Sequence, residues 1–471
     1  MTDAKNEEKL PLKEILRMLF KASKGFWLVN VVNFGDGIAY FGMLNLMTLF
    51  LGIKGLGMPD ALAGWSVSLF TGLVTLFMFG GGFVSDRIGV RKALTLVLAM
   101  LLLGRLMLVL SAGFSRVPLA SFTLLGAEVL LSPSFLLCWA GLLVMAFGEG
   151  VIQPALYAGV KEYTDARTAT ISYSILYAIM NLGIVMESFV SPYIRTSGPF
   201  VKAGGRQIMA LGLGIPGVFW LCIAVTLLML LVHLGFFTAG VEARDRVAAD
   251  KPAETGGNPG SFVEKMKQLP FLDARFMFFI SALLPVRTLF AHQWLTIPDY
   301  IMRCYPPEVG AKYEWITALN PLIIVVFVPL IAALTRKVNV VTMMIVGTSI
   351  SAVTTFALVP GPNLNALLAY VILFSFGEAV WSSRFLEYVA DIAPAGRVGA
   401  YMGLAGIPWF LAKFTTGLYS GKMLSVFVPA SGPQDSSMMW LIYALIACIT
   451  PLTLILARRW LNAPLERVPE R

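Results

Sequence analysis

The sequence predicts an all-α membrane protein with twelve transmembrane helices arranged in two pseudo-symmetric six-helix bundles. Hydrophobic residues make up 57% of the chain, charged residues only 13%, and the mean hydropathy is +0.77. Soluble domains carry about 25% charged residues, so this composition indicates a polytopic membrane protein. Apolar runs near the ~20 residues that a helix needs to cross the hydrocarbon recur in two groups of six, separated by one long polar segment.

The two groups of runs predict an N-terminal bundle over residues 26–237 and a C-terminal bundle over 271–458. The predicted spans are 26–53, 61–83, 93–113, 135–160, 169–194, 208–237, 271–300, 315–335, 340–359, 364–390, 398–420 and 437–458. The composition of the intervening segment, 238–270, is typical of a flexible linker. A cytoplasmic amphipathic N-terminus over 1–25 and a cytoplasmic tail over 459–471 are predicted at the two ends.

The basic residues predict the orientation of the chain. Arg87, Arg91, Lys92 and Lys161 fall in loops that share a side with both termini, which are therefore predicted to be cytoplasmic. The formal net charge of +9 is explained by such loops and does not indicate a nucleic-acid partner. We expect a monomeric integral protein of the bacterial cytoplasmic (inner) membrane, surrounded by the lipid bilayer.

A polar motif lies between the second and third apolar runs. It contains Gly82, Asp86, Arg87, Gly89 and Arg91. This motif resembles the loop between the second and third helices of the major facilitator superfamily of transporters. The resemblance implies a loop that helps to hold the two halves together in one state. The alternative is an ordinary basic cytoplasmic loop.

Further segments resemble the proton-dependent oligopeptide transporter family. The fourth run contains Gly148-Glu149-Gly150-Val151-Ile152-Gln153-Pro154, and the fifth contains Tyr177 followed by Asn181-Leu182-Gly183. Leu319-Asn320-Pro321 resembles the eighth-helix signature, and Gly377-Glu378 resembles the tenth helix. The resemblance implies proton-coupled symport by alternating access, with a proton gradient as the energy source and no cofactor.

The chain also departs from that family. In the first helix the family has two glutamates and an arginine, whereas this chain has Asn33, Asp36 and Gly37. The lysine of the fourth helix is replaced by Gln153. A divergent member is therefore expected, because the missing groups help the family to bind peptide and to couple protons.

Charged residues inside the predicted spans are the main site candidates, because such residues are costly in a membrane and usually face a cavity or a partner. Three acids, Asp36, Glu149 and Glu378, accompany four bases, Arg105, Arg287, Arg384 and Lys413. The slight cationic excess favours a small solute that carries a carboxylate, such as a short peptide or an amino-acid derivative. Glu378 is the first candidate for proton coupling, because its counterpart in the family takes part in binding or coupling. Asp36 and Glu149 are the next candidates.

The predicted solute-binding set combines these charges with polar and aromatic neighbours on the same helices. Its members are Asp36, Tyr40, Arg105, Gln153, Tyr157, Asn181, Arg287, Gln293, Asn320, Trp381 and Lys413. An alternative for Arg105 is that it pairs with Glu149 and locks two helices together. Glu187 is predicted to be solvated near the end of its span, and His292 to be an interfacial polar residue.

Other function classes remain as alternatives. One is proton-coupled efflux of amphipathic compounds or lipids, since the chain has 22 Met and 32 Phe, which could line an apolar cavity. A membrane enzyme is not expected, because the chain has only two histidines and no His-Glu-x-x-His motif. A non-transporting sensor is disfavoured because the sequence has no added soluble output domain. The four scattered cysteines have no metal or disulfide spacing.

Overall fold

The computed structural model describes residues 22–52, 55–124, 127–164, 169–201, 207–246, 273–335, 338–392, 401 and 405–463. Within these residues, ten helical segments are long and apolar enough to cross a membrane, and three of them, Val90–Gly113, Ala274–Leu295 and Val340–Leu358, contain more than one helix. Two further helices, 319–334 and 407–427, occupy the eighth and eleventh predicted spans. The predicted twelve-helix fold is therefore confirmed.

The N-terminal bundle contains six spanning helices and two β-hairpins. Its elements are α1 (Lys24–Leu51), α2 (Asp60–Ile88), α3 (Val90–Leu110), β1 (Ala120–Leu124), β2 (Ala127–Leu131), α4 (Pro133–Tyr163), α5 (Ala169–Arg195), β3 (Ser197–Val201), β4 (Gln207–Leu211) and α6 (Gly214–Phe236). A short helix, α7 (Ala239–Asp245), follows α6.

The C-terminal bundle is more segmented. Its elements are α8 (Ala274–Ala282), α9 (Leu284–Leu295), α10 (Ile297–Cys304), α11 (Pro307–Gly310), α12 (Tyr313–Thr317), α13 (Leu319–Leu334), α14 (Val340–Thr354), α15 (Leu364–Ile392), α16 (Ile407–Phe427), α17 (Ser436–Leu456) and α18 (Arg458–Leu461).

Side-chain caps fix where several helices begin. Ser23 accepts a hydrogen bond from the backbone N–H of Phe26 at 3.2 Å, and Ser132 accepts one from Phe135 at 3.2 Å. Asn339 and Asp435 cap α14 and α17 in the same way. Such caps satisfy backbone donors that the first helical turn leaves free.

The seventh span, predicted over 271–300, is present as the membrane-crossing segment Ala274–Leu295, but short breaks divide this part of the chain. The chain there forms three helices, α8, α9 and α10, with breaks at Leu283 and Thr296. Pro285 and Pro298 lie in the first turn of α9 and α10. Proline lacks the backbone N–H of a helix interior and clashes with the preceding turn, so each proline starts a new helix rather than continuing the old one.

Two hairpins were not predicted from the sequence. In the first, Ala120 pairs with Leu131 and Phe122 with Val129; in the second, Ser197 pairs with Leu211. A two-stranded hairpin is only marginally stable by itself. The first is anchored because Val129 is 2% exposed. Both hairpins lie at the end of the bundle where α3 and α5 finish, here called the hairpin side.

The two bundles are joined by hydrogen bonds at the hairpin side. Tyr313 donates its hydroxyl to the carbonyl of Asn45 at 2.9 Å, and Trp65 donates its indole N–H to the carbonyl of Leu418 at 2.9 Å. Two salt bridges also cross: Arg303 with Asp60, and Arg195 with Glu314. The described residues therefore hold the bundles together at this end.

The composition of the polar motif after the second span predicts a loop, but the structure has only a one-residue turn there. Helix α2 continues to Ile88 and α3 begins at Val90, so Gly89 alone makes the turn. Gly89 has φ +82, a left-handed conformation that glycine adopts without strain. Arg91 Nε donates to Glu242 Oε2 of α7 at 2.8 Å, which ties this turn to the start of the linker.

The start of the predicted linker is packed against the N-terminal bundle. Asp245 accepts a hydrogen bond from the backbone N–H of Gly25 at 2.8 Å, and Arg246 pairs with Glu162 at 2.8 Å. The hydrogen bond from Arg244 lowers the pKa of Asp245 below its usual value, and so does the Gly25 N–H. The glycine- and proline-rich centre of the linker lies outside the described residues.

Candidate functional site

A cavity of about 340 Å³ lies between the two bundles. Its walls come from α1 and α5 of the N-terminal bundle and from α9, α12 to α13, α15 and α16 of the C-terminal bundle. The lining residues are Tyr40, Phe41, Leu44, Asn45, Tyr177, Met180, Asn181, Ile184, Ser188, Phe290, Gln293, Trp294, Thr317, Asn320, Pro321, Ile324, Glu378, Trp409 and Lys413. The predicted site residues Tyr40, Asn181, Gln293, Asn320, Glu378 and Lys413 thus meet in one place.

Glu378 supplies the carboxylate of this cavity. Asn320 Nδ2 donates to Glu378 Oε2 at 2.8 Å and also lies 3.0 Å from Ser375 Oγ. Asn320 stands in the first turn of α13, beside Pro321, and Glu378 stands in the middle of α15. An amide N–H can donate to an ionised carboxylate, so Asn320 holds the acid in a fixed orientation at the cavity wall.

Lys413 supplies the cation. Its Nζ lies 5.9 Å from the ring centroids of both Trp294 and Trp409. Neither Lys413 nor Glu378 forms a salt bridge with any residue in the described part of the chain. The indole rings offer the ammonium a favourable face without neutralising it. The cavity therefore carries one cationic and one anionic group.

The N-terminal wall supplies polar groups without charge. Asn181 donates Nδ2 to the carbonyl of Tyr177 one turn earlier at 2.9 Å and lines the cavity. Tyr40, Asn45 and Ser188 lie on the same side. Both charges of the lining therefore come from the C-terminal bundle.

Asp36, Arg105 and Glu149 do not line this cavity. Arg105 Nη2 lies 3.1 Å from Asp36 Oδ1 and 2.6 Å from Glu149 Oε1, and Arg105 Nη1 donates to Thr226. The guanidinium is fully buried. The prediction that Asp36 and Arg105 contact solute is not supported by this arrangement. The geometry instead matches the alternative in which Arg105 locks helices, because one guanidinium joins α1, α3, α4 and α6.

Other predicted residues also lie outside the cavity lining. Arg287 is 1% exposed and packs against aromatic rings, with Trp381 among them. Gln153 and Tyr157 stand on α4, which contributes no residue to the lining, and the Tyr157 ring instead contacts Tyr173 at 5.9 Å. A helical face can be inferred from sequence, but which faces converge depends on how helices pack.

Two interpretations of polar residues are wrong. Glu187, predicted to be solvated, is 1% exposed and packs beside Gly42 of α1. His292, predicted to be interfacial, is fully buried, stacks on Tyr443 at 3.9 Å and hydrogen-bonds to Thr296 at 2.7 Å. Distance from the end of a span did not predict exposure here, because neighbouring helices cover both positions.

Asn45, Ser188 and Thr317 were missed as cavity residues. All three are polar residues inside or beside predicted spans, and Ser188 adjoins Glu187. Short polar side chains are common in helix contacts within membranes, so their presence alone gave no signal that would separate them from packing residues.

Comparison of the sequence with known proteins identifies the family of this chain. The sequence profile described as Major Facilitator Superfamily matches residues 26–302. Dipeptide and tripeptide permease A of Salmonella typhimurium is 23% identical over 464 residues, which cover 92% of this chain and 90% of the permease.

Solved structures agree on the fold. A peptide transporter POT in complex with sulfate has a TM-score of 0.68 at 15% identity and covers 96% of this chain and 99% of its own. A variant of the nucleoside transporter NupG has a TM-score of 0.67 at 12% identity and covers 92% of this chain and 99% of its own. At these identities the structural likeness shows the fold alone, and it does not choose between solutes.

The profile match covers more than half of the chain, and the helices, the two bundles and the cavity between them agree with it. Such a site binds a small solute rather than performing chemistry on it. This chain is an integral membrane transporter that belongs to the major facilitator superfamily, in which it is a divergent relative of the proton-dependent oligopeptide transporters.

Proposed function

We propose that this protein is a proton-coupled symporter of a small, carboxylate-bearing solute, such as a short peptide or an amino-acid derivative. The observation that carries the proposal is the presence in the cavity lining of one acid and one base, Glu378 and Lys413, which form no salt bridge with each other. A zwitterionic solute complements both charges at once, with its ammonium toward Glu378 and its carboxylate toward Lys413. A solute with one charge satisfies only one of them.

The remaining lining suits a peptide-like solute. Trp294 and Trp409 offer apolar faces to side chains, and Asn181 and Gln293 offer hydrogen bonds to amide groups. The related permease of Salmonella typhimurium is named for dipeptides and tripeptides, which supports this substrate class. Efflux of amphipathic compounds or lipids fits less well, because a cation and an anion that are not paired with each other would be costly to leave facing an apolar cargo.

Proton coupling is assigned to Glu378. A carboxyl group that carries a proton on one oxygen still accepts a hydrogen bond through the other, so Glu378 can hold a proton and the solute's ammonium at the same time. Asn320 keeps the side chain at the cavity wall in either state. Alternating access would then carry proton and solute together, with no cofactor beyond the proton gradient.

The membrane setting is part of the proposal. We infer a monomer in the bacterial cytoplasmic membrane with both termini in the cytoplasm, as the distribution of basic residues indicates. The hairpin side would then face outward, and the salt bridges that join the bundles there would close the outer end of the cavity.

Uptake into liposomes tests the proposal. With an inward proton gradient, the wild-type protein should concentrate radiolabelled dialanine, and Glu378→Gln should lose concentrative uptake. Lys413→Gln should weaken binding of dialanine by about tenfold or more, since a charged hydrogen-bond partner is lost, and should affect dialanine amide much less. Glu308→Gln, which alters an exposed acid, is the matched control. Concentrative uptake by Glu378→Gln at the wild-type rate would refute the coupling role.

A further inference from the structure

Arg287 is a buried arginine that forms no salt bridge with any described carboxylate, although the charge of Glu378 attracts it from a greater distance. It lies on α9 and is 1% exposed. Its guanidinium carbon is 4.4 Å from the ring centroid of Phe385, 4.8 Å from that of Trp409 and 5.2 Å from that of Trp381. These residues, Arg287, Trp381, Phe385 and Trp409, are here called the arginine cage.

The other strongly buried arginines contrast with Arg287. Arg105 binds Asp36 and Glu149, Arg195 binds Glu314, Arg384 binds Glu387, and the largely buried Arg303 binds Asp60 and Asp299. A buried cation is stable in a protein when an opposite charge and hydrogen-bond acceptors accompany it. Aromatic faces offset only part of the cost of removing the guanidinium from water.

The cage holds several hydrogen-bond donors that have no acceptor in the described part of the chain. They are Nε and Nη1 of Arg287 and Nε1 of Trp381. Trp381 is 1% exposed, so its indole N–H has no access to solvent. Neither a guanidinium nor an indole N–H can accept a hydrogen bond. A group of unpaired donors with a positive charge is complementary to an anion.

The cage adjoins the solute cavity through a shared ring. Trp409 lines the cavity, whereas Arg287 does not. Phe290, one turn along α9 from Arg287, also lines the cavity and packs edge to face against both Trp381 and Trp409 at 5.7 and 5.5 Å. Trp409 thus borders the cavity and also lies 4.8 Å from the guanidinium of Arg287.

We propose that the arginine cage is an anion subsite next to the solute cavity, which Trp409 covers in this conformation. Its ligand is a small anion, either a carboxylate or a halide. The anion comes from one of two sources, a free ion in solution or the carboxylate of the transported solute. Binding of a free anion would be independent of the proposed function. Binding of the solute's carboxylate would rest on it, with Arg287 as a second anchor beyond Lys413.

Anion binding to the detergent-purified full-length protein tests the site without any transport. The probes are sodium acetate and sodium chloride, titrated against sodium gluconate at constant ionic strength, with thermal unfolding and calorimetry as readouts. We expect saturable stabilisation of the wild type by acetate, by chloride or by both, because an ion that binds only the folded state stabilises it by mass action. Arg287→Gln should lose at least about tenfold in that affinity.

Two further variants keep the test decisive if Arg287→Gln does not fold. Trp381→Phe keeps an aromatic ring but removes the indole donor, and should weaken anion binding severalfold. Arg275→Gln is the matched control, because Arg275 lies on α8 of the same span and stacks on Trp460 at 6.0 Å but donates to the carbonyl of Ala463. It should bind anions like the wild type.

Competition identifies the source of the anion. If the solute's carboxylate occupies the cage, acetate should compete with dialanine in the wild type and much less in Arg287→Gln, and Arg287→Gln should reduce the preference for dialanine over dialanine amide. If a free anion occupies it, chloride should leave dialanine binding unchanged or improve it. Either pattern supports the subsite. Absence of saturable anion binding in the wild type, or equal binding by wild type, Arg287→Gln and Trp381→Phe, would overturn it whether or not peptides are transported.

Discussion

At the scale of single residues, Arg105 is the centre of a buried charge cluster in the N-terminal bundle. It contacts two buried carboxylates, Asp36 and Glu149, and the hydroxyl of Thr226. Removing the guanidinium leaves both acids without a cation. Breaking a buried ion pair in this way typically costs about 3–5 kcal/mol. We therefore expect Arg105→Gln to lower the thermal unfolding temperature of the purified protein substantially.

A compensated variant distinguishes a structural role from a solute-binding role for Arg105. Replacing both acids together with the arginine, as Arg105→Met with Asp36→Asn and Glu149→Gln, removes every buried charge of the cluster. This triple variant should recover most of the lost stability, since a buried ion cluster replaced by neutral groups is often tolerated. If it stayed as unstable as Arg105→Gln alone, the locking role would be wrong.

The sequence predicted the roles of the charged residues inside the spans only in part. Charges inside spans identified Arg105, Glu149, Glu378 and Lys413, and the pairing of Arg105 with Glu149 was one of the open alternatives. The sequence alone could not predict which of these charged residues line the cavity and which form the buried cluster around Arg105. That division depends on the rotation of each helix about its axis, and the arginine cage depends on the convergence of three helices on one side chain.

At the scale of helices, close glycine contacts set the spacing within each bundle. A Cβ on Gly141 of α4 would lie 2.8 Å from the carbonyl oxygen of Gly104 in α3. In the other bundle, a Cβ on Gly377 of α15 would lie 2.9 Å from the carbonyl oxygen of Gly347 in α14. The third and fourth spans of each half thus approach through glycine, as small residues permit in membranes.

A single added methyl group tests this contact. Gly141→Ala places a carbon against backbone atoms that cannot rotate away, so the helices must separate, at a cost of about 1–3 kcal/mol. We expect a lower unfolding temperature in detergent. Gly235→Ala is the matched control, because nothing lies within 4 Å of its added Cβ. Equal stability of the two variants would show that α3 and α4 can move apart freely.

Most helices were predictable because long apolar runs report directly on membrane crossing. The break before α9 was predictable from Pro285, a proline inside the predicted span, whereas the break before α10 at Pro298 was not predicted. The hairpins at 120–131 and 197–211 were missed because five-residue apolar strands differ little in composition from helix ends. The thickness of the bilayer sets the length of a spanning helix, so such helices are readily predicted from the sequence. Short local patterns predict the structure of the connecting segments less well.

At the scale of the whole molecule, two charge clusters hold the bundles together at the hairpin side. Arg303 of α10 reaches Asp60 of α2 at 2.7 Å and Asp299 at 2.6 Å. Arg195 of α5 reaches Glu314 of α12 at 2.7 Å. Both clusters cross from one bundle to the other, so rocking of the bundles requires that they break. They favour the conformation described here over one that is open at the hairpin side.

Arg303→Gln should therefore shift the conformational equilibrium toward opening at the hairpin side. Losing about 3 kcal/mol of differential stabilisation changes the ratio of two states by about a hundredfold. Spin labels at S121C and E308C, two exposed hairpin-side positions in opposite bundles, would report the change as longer distances. The labels require a background without the native cysteines, and Arg116→Gln, an exposed arginine on the same side, serves as the control. A distance distribution that Arg303→Gln leaves unchanged would mean that packing between the bundles, rather than these charges, keeps this end closed.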